Sequence, residues 1–173
     1  MDAALIIIDF QERLAKHISG IDEVLKNSAK LVKACQILEI PMILTEQIKL
    51  GDTVREIKEL VDTKPIIKSS FSCVKCPDFI QTLEKLKPRN CILIGIEAHI
   101  CVLQTALDLR EKGYEVQVAV DCIGSRKELD KQVAIQRMIQ KGVLLTTHET
   151  VIYEILQTAE HPRFKQVLEI VKS

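Results

Sequence analysis

The sequence predicts a doubly wound, Rossmann-like α/β fold with three layers, in which a parallel sheet of about six strands lies between two layers of helices. Two observations lead to this prediction. Short runs rich in isoleucine, valine and leucine recur along the chain, and longer segments with helical period separate them. Most of the short runs lack polar alternation, which is typical of strands covered on both faces.

Each element follows from its own pattern. Six apolar runs are predicted as strands, namely Ala4–Ile8, Pro41–Leu44, Pro65–Ile67, Cys91–Ile94, Val116–Val120 and Val143–Leu145. Apolar residues at i, i+3, i+4 and i+7 predict the helices Ile21–Leu38, Phe79–Leu86, Val102–Leu109, Leu129–Ile139 and Phe164–Val171. Gly113 and Gly142 each follow a helical segment, at the C-cap position that glycine favours. Gln47–Thr63 has alternating charge and no strand pattern, so we expect a loop with a short helix there.

Length and charge exclude several classes of protein. With 173 residues, the chain predicts one domain over residues 1–173, since domains hold about 100–200 residues. Its 24 Lys and Arg residues balance 24 Asp and Glu residues, so no nucleic acid or anionic membrane partner is expected. The longest apolar run, Ala3–Ile8, is far shorter than the ~18 residues that span a bilayer. The N-terminus lacks the pattern of a secretory signal, so we expect a cytoplasmic protein.

The cysteines agree with that placement. A chain of this size and apolar content builds a core without disulfides. Cys35, Cys91 and Cys122 lie in apolar stretches, where free thiols behave as small hydrophobic groups. Cys73 and Cys76 form a Cys-x-x-Cys pair, but no second pair follows at zinc-site spacing. No metal site is therefore expected.

Three chemically active side chains follow predicted strands. Asp9 directly follows the first strand, Lys68 follows the third, and Cys101 lies just past the fourth, at the start of a helix. Asp121 also follows a strand. Because ligands bind beyond the carboxyl ends of strands in open parallel sheets, we expect the acid, the base and the thiol to converge there.

The position of Cys101 suggests a nucleophile. A thiol in the first turn of a helix, near the Lys68 ammonium, is favoured as thiolate, and Asp9 is placed to take its proton. Backbone N–H groups of the same turn are placed to stabilise an oxyanion. On spacing alone, a second interpretation stays equally open, in which Asp9 caps a helix, Lys68 is solvated and Cys101 fills the core.

Three segments together resemble the isochorismatase-like cysteine hydrolases: Ile6–Gln11, Lys68–Ser72 and Gly95–Val102. The resemblance covers nearly the whole chain. It is closest to the small isochorismatase domain-containing subgroup, which shares the Gly-Ile-Glu-Ala-His sequence and the His-Pro-x-Phe tail that starts at His161. It implies a catalytic triad of Asp9, Lys68 and Cys101 that works without a cofactor.

The resemblance also implies details of the site. A cis peptide bond is expected between Ile96 and Glu97, with the N–H groups of Glu97 and Cys101 forming an oxyanion hole. The nicotinamidase branch of the family carries histidine metal ligands in the segment that corresponds to Gln47–Thr63, which contains no histidine here. Neither that metal nor nicotinamide hydrolysis is expected.

Other residues near the strand ends are candidates for the substrate pocket: Phe10, Gln11, Gln47, Phe71 and Ile100. Phe10 and Phe71 are expected to form an apolar wall. Gln11 and Gln47 either orient a polar substrate or bond to loops. His99 lies two residues before Cys101, but the triad already supplies a base, so we do not expect His99 to be catalytic.

The leading hypothesis is a metal-independent hydrolase that acts on a small amide or related carbonyl compound through a covalent Cys101 intermediate. Two alternatives are kept, a hydrolase of vinyl ethers such as isochorismate and a catalytically silent binding or scaffold protein. The apolar helix surfaces of Val151–Leu156 and Phe164–Val171 exceed what one sheet needs. They predict a homo-oligomer with an even number of subunits.

Overall fold

A six-stranded parallel sheet runs through the computed structural model, which describes residues 2–173. Its strands are β1 (Ala3–Ile8), β2 (Met42–Gln47), β3 (Ile66–Lys68), β4 (Asn90–Ile96), β5 (Glu115–Gly124) and β6 (Leu144–Thr146). Every neighbouring pair is parallel, and the order across the sheet is β3-β2-β1-β4-β5-β6. The predicted fold class is confirmed.

Helices cover both faces of this sheet. Residues 2–173 form eight α-helices, namely α1 (Glu12–Ala15), α2 (Ile21–Ile37), α3 (Arg55–Lys58), α4 (Pro77–Leu86), α5 (Leu103–Glu111), α6 (Glu128–Gln140), α7 (His148–Leu156) and α8 (Phe164–Lys172). The core under α1, α2, α3, α7 and α8 is separate from the core under α4, α5 and α6. None of these helices combines the length and the apolar character needed to cross a bilayer.

Strand β1 shows why the apolar runs lack polar alternation. All six of its residues are buried. Leu5 and Ile7 pack into the core on the α2 side, whereas Ile6 and Ile8 pack into the core on the α5 side. Because successive side chains point to opposite faces, a strand between two helical layers must be apolar at every position.

The loops agree with the sequence except at β5. Residues 47–63 hold a loop and the short helix α3, and Gly113 and Gly142 follow α5 and α6 with positive φ, all as predicted. Strand β5, however, continues to Gly124, so Asp121 lies within the strand and not after it. The register of β4 and β5 shifts between Leu93 and Gly95, which lets the two strands stay paired over this extra length.

The apolar faces of the C-terminal helices α7 and α8 are buried within the chain, and they do not support the predicted subunit contacts. Val151, Ile152, Ile155 and Leu156 of α7 are buried in the core on the α2 side. Val167 of α8 is buried there too, with Phe164 and Val171 packed against it. The apolar surfaces assigned to subunit contacts from the sequence are therefore used within the chain, because they cover the long helix α2.

The close approach of β1 and β4 requires glycine at position 95. Gly95 pairs with Ile8 and has a φ of +146°. A Cβ atom at this position would lie 2.2 Å from the carbonyl oxygen of Ile8. Since Asp9 follows Ile8 and Cys101 follows the turn after β4, this approach brings the two candidate catalytic groups together.

We expect Gly95→Ala to lower the free energy of unfolding by at least about 2 kcal/mol, through overpacking and backbone strain. The matched control is Gly20→Ala, which also has positive φ but has open space around the added methyl group, and should cost about 1 kcal/mol. Urea denaturation of both variants measures the difference. Equal losses would contradict the steric explanation.

Candidate active site

Asp9 is held at the carboxyl end of β1 in an unusual backbone conformation. Its φ is +52°, a left-handed value that few residues other than glycine adopt and that aspartate tolerates better than most. The residue is fully buried. Its carboxylate accepts hydrogen bonds from Thr45 Oγ1 at 2.8 Å and from Lys68 Nζ at 2.7 Å. The carboxylate is thus fixed by groups from both β2 and β3.

Lys68, the last residue of β3, carries a buried and well-paired ammonium group. Besides Asp9, its Nζ donates to Gln47 Oε1 at 2.8 Å and to the carbonyl oxygens of Ser70 and Phe71, each at 3.0 Å. Burial alone would lower the pKa of Lys68, but the charge of the Asp9 carboxylate raises it above the ordinary value. The side chain is therefore positively charged at neutral pH.

Cys101 lies in a single π-helical turn, Ala98–Val102, that leads into α5. The residue is 5% exposed, and its thiol is near enough to the Asp9 carboxylate for that charge to act on its pKa. Burial and the Asp9 carboxylate raise the pKa of Cys101, and the opposing effect of Lys68 is smaller. The expectation that the helix start favours a thiolate is wrong for the resting protein. The resting group is a neutral thiol beside a base.

The turn before Cys101 is anchored to the segment that follows β5. The peptide bond between Ile96 and Glu97 is cis. Glu97 is buried, and its carboxylate accepts hydrogen bonds from the backbone N–H of Arg126 at 3.1 Å and from Arg126 Nε at 3.0 Å. Its carbonyl oxygen accepts from the N–H groups of Ile100 and Val102. Ile96 itself is buried in the core on the α2 side.

The structure separates the five pocket candidates. Phe10 is fully buried in the core on the α2 side, so it cannot form a pocket wall. Gln11 Nε2 donates to the carbonyl oxygens of Gln47 and Gly51, and Gln11 Oε1 accepts from the N–H of Gln47. The Gln47 side chain bonds to Lys68 and to the carbonyl oxygen of Ser69. Both glutamines therefore bond within the protein.

The other two pocket candidates are more exposed than Phe10, Gln11 and Gln47. Phe71 is 54% exposed, and Ile100 is half-buried against the core on the α5 side. His99, in contrast, is turned to the segment after β5, where its Nδ1 lies 2.8 Å from Ser125 Oγ. This partner agrees with the expectation that His99 is not the base for Cys101.

Two residues of the site were missed by the sequence analysis. Thr45 directly follows the predicted run Pro41–Leu44, so the signal that identified Asp9 would also have identified it. Cys73 Sγ lies 3.9 Å from Thr45 Oγ1, and its N–H donates to Thr105 Oγ1. Burial raises the pKa of Cys73 to about 12, so it is a neutral thiol. Its Cys-x-x-Cys spacing with Cys76 suggests only a metal pair, and that pattern gives no sign of the nearby Thr45 and Lys68.

The fold and this thiol, carboxylate and ammonium cluster at the carboxyl ends of the strands agree with a defined family. The family model for the isochorismatase domain matches residues 3–150. The chain belongs to the isochorismatase-like hydrolase family, and the resemblance found in the sequence is confirmed.

Individual relatives cover almost the whole chain. Isochorismatase domain-containing protein 2 of Xenopus laevis is 39% identical over 98% of this chain and 83% of its own length. A solved structure described as MAR1 ribonuclease from Caenorhabditis elegans is 40% identical, with a TM-score of 0.92 over 99% of this chain and 90% of that one. The YcaC gene product of Escherichia coli, described as an octameric hydrolase of unknown specificity, shares the fold at 24% identity, with a TM-score of 0.88 over 99% of this chain and 94% of that one.

We expect haloacetamide labelling of Cys101 to have its pH midpoint above the ordinary thiol value of about 8.5. Burial and the Asp9 carboxylate both disfavour the thiolate. Asp9→Asn should move the midpoint down, and Lys68→Met should move it up, because each variant removes one of two opposing charges. The rate at which Cys101 is labelled is measured by peptide mass spectrometry at a series of pH values, and these rates give the midpoints.

Lys68→Met leaves the Asp9 charge buried without its partner, which costs about 3–5 kcal/mol of stability. The double variant Asp9→Asn/Lys68→Met removes both charges and serves as the folding control. A wild-type midpoint well below 8.5, or shifts of the same sign in both single variants, would contradict this electrostatic description.

Proposed function

We propose that the protein is a metal-independent cysteine hydrolase that cleaves a small amide, or a related carbonyl compound, through a covalent intermediate on Cys101. The observation that supports it best is the position of the buried Asp9 carboxylate, which pairs with the Lys68 ammonium at 2.7 Å and is near enough to the Cys101 thiol to raise its pKa. A nucleophile within hydrogen-bond reach of a base, with a third group orienting that base, is the arrangement that nucleophilic catalysis requires.

In the first half-reaction, the sulfur of Cys101 attacks the carbonyl carbon while its proton passes to Asp9. The C–N bond then breaks, Asp9 gives the proton to the leaving amine, and the acyl group stays on sulfur as a thioester. In the second half-reaction, Asp9 takes a proton from water, and the oxygen of that water attacks the thioester. The acid product leaves, and the proton returns to Cys101.

A neutral resting thiol fits this sequence of steps. The raised pKa of Cys101 means that the thiol is not ionised in advance, so proton transfer to Asp9 must accompany the attack. Lys68 stabilises the negative charge as it moves from Asp9 to the sulfur. We assign the oxyanion hole to the N–H groups of Glu97 and Cys101, because both belong to the turn that carries the nucleophile and that Arg126 anchors.

The limited exposure of Cys101 favours a small substrate. Only 5% of the residue is exposed. We assign the acyl group to Ile100, which precedes Cys101 in the chain, and to Phe71, whose carbonyl oxygen accepts from Lys68. The name of the Caenorhabditis elegans relative raises ribonuclease activity as a second candidate. A chain with balanced charge and a nearly enclosed thiol argues against a polyanionic substrate.

Three substitutions test whether the triad acts as a unit. Cys101→Ala, Asp9→Asn and Lys68→Met should each lower kcat/KM on small amides by at least about 1000-fold, and double variants should be little worse. Release of ammonia or amine from a panel of such amides measures the rates. Cys91→Ala is the matched control, since it removes a core thiol of β4 and should leave the rate unchanged.

Each alternative gives a different outcome in the same panel. Cleavage of isochorismate or another vinyl ether that survives Cys101→Ala would favour the acid-dependent reaction, and RNA cleavage that survives it would favour a ribonuclease with other catalytic groups. If all triad variants kept the activity of the wild type, the proposal would be contradicted. No turnover of any substrate by the folded wild-type protein would favour a binding or scaffold role.

We further propose that the chain forms a homo-oligomer with an even number of subunits, as the octameric YcaC relative suggests. Exposed apolar side chains offer a contact surface on α6, where Leu129 and Val133 lie one turn apart and are 69% and 46% exposed.

Light scattering at micromolar concentration should give an even multiple of 19.6 kDa. The double variant Leu129→Glu/Val133→Glu should lower this mass, whereas Leu86→Glu, an exposed change on α4, should not. A single 19.6 kDa species in the wild type would refute the proposal.

A further inference from the structure

Three metal-ligating side chains that the proposed catalysis does not use meet between β5 and α7. Asp121 and Cys122 are consecutive residues of β5, and His148 is the first residue of α7. One ligand atom from each lies within 4.8 Å of the other two. His148 Nδ1 is 2.6 Å from Asp121 Oδ2, and Cys122 Sγ is 3.6 Å from Asp121 Oδ1. These atoms form a compact triangle.

This cluster is separate from the candidate active site. Cys122 belongs to the core on the α2 and α7 side of the sheet, whereas Cys101 belongs to the core on the α5 side. Asp121 lies beyond the end of β6, which pairs with β5 up to Ala119 and Thr146. The sheet therefore divides the two thiols.

Helix capping explains only part of the cluster. Asp121 Oδ1 accepts the backbone N–H of His148 at 2.9 Å, which satisfies a free donor at the start of α7. Thr147 is the N-cap of this helix and accepts the N–H of Thr150. Neither contact needs a histidine ring or a thiol, so capping leaves both groups without a role.

A buried hydroxyl gives a second observation at the same place. Ser28 of α2 is fully buried, and its Oγ has no hydrogen bond of normal length to the residues that the structure describes. Its polar neighbour is the Cys122 thiol. A hydroxyl here is placed to donate to the sulfur once it becomes a thiolate, which is the role of an outer-shell partner at a metal site.

We propose that Asp121, Cys122 and His148 bind a zinc ion, with water as a fourth ligand. Thiolate, imidazole and carboxylate are the donors that zinc takes in proteins, at about 2.3 Å from sulfur and about 2.0–2.2 Å from nitrogen and oxygen. Such bonds place tetrahedral ligand atoms roughly 3.5 Å apart. If Asp121 binds through Oδ2, that atom and His148 Nδ1 must move apart by about 1 Å as metal bonds replace their 2.6 Å hydrogen bond. The other ligand distances lie within 4.8 Å and need only small side-chain adjustments.

Binding has a defined proton balance. Zinc takes the neutral imidazole through Nδ1, the ionised carboxylate of Asp121 and the thiolate of Cys122. Because burial raises the pKa of the Cys122 thiol well above its ordinary value, the thiol proton leaves to solvent when zinc binds. No electron is transferred in this step.

Cobalt(II) is the probe, since it enters zinc sites and gives a near-ultraviolet charge-transfer band when thiolate binds it. Chelator-treated wild-type protein titrated with cobalt under reducing conditions should develop this band with saturation at one equivalent, and added zinc should remove it. Zinc binding should also raise the melting temperature of the wild type, because the ion binds the folded state.

Matched variants locate the site. Cys122→Ser should abolish the band, whereas Cys91→Ser, which changes another buried thiol in the same way, should retain it. His148→Ala, at the half-buried start of α7, should weaken zinc binding by more than about tenfold and keeps the test valid if Cys122→Ser fails to fold. The release of the thiol proton on zinc binding should also disappear in Cys122→Ser, because this variant has no thiol at position 122.

Two results would overturn the proposal. One is the absence of a charge-transfer band when wild-type protein receives one equivalent of cobalt. The other is a band that persists at unchanged affinity in Cys122→Ser or His148→Ala. If Cys101→Ala then removed the band, the metal would lie at the candidate nucleophile.

Discussion

The ion pair between Lys68 and Asp9 is the interaction on which the candidate site depends. Both side chains are completely buried, and their charged atoms are 2.7 Å apart. Burial of two charges is costly unless every donor and acceptor is satisfied, and here Gln47 and two carbonyl oxygens complete the surroundings of the ammonium. The pair spans the carboxyl end of β2, since β1 and β3 lie on either side of that strand.

This ion pair also affects the protonation state of the candidate nucleophile, Cys101. The site lies where the strand order reverses, with β1 leading to β2 on one side and pairing with β4 on the other. Gly95 allows β4 to approach β1, so the thiol on the turn after β4 meets the carboxylate that follows β1. Burial and the Asp9 carboxylate raise the pKa of the resting Cys101 thiol, and Lys68 opposes them. In the proposed mechanism, the same carboxylate accepts the thiol proton during attack.

The sequence was sufficient for the elements whose burial is uniform. Strands covered on both faces and the long helix α2 have strong apolar patterns, and Asp9 and Lys68 stand out because they end such runs. Side-chain direction after a strand was not predictable in the same way. Phe10 enters the core directly after Asp9, which has a left-handed conformation. The side chain of Gln11 forms hydrogen bonds with residues more than 30 positions away in the sequence. Such long-range contacts leave no local signal.

The surplus of apolar helix surface shows a related limit. The apolar patterns of α7 and α8 show that one face of each helix is buried. They do not show which surface covers that face, and in the structure both helices cover α2 of the same chain. The apolar residues of α6 also follow a helical period, and this period did not show that Leu129 and Val133 are exposed in the single chain. A pattern along one chain cannot distinguish packing within a subunit from packing between subunits.

Mass spectrometry of an acid-quenched reaction tests the central claim most directly. An activated aryl ester makes acylation faster than hydrolysis, so an acyl-enzyme accumulates in an early burst of leaving-group release. The account predicts that the quenched protein gains the mass of one acyl group on the peptide that contains Cys101, and that Cys101→Ala shows neither the burst nor the mass gain. Steady release of the leaving group with Cys101 unmodified would contradict it.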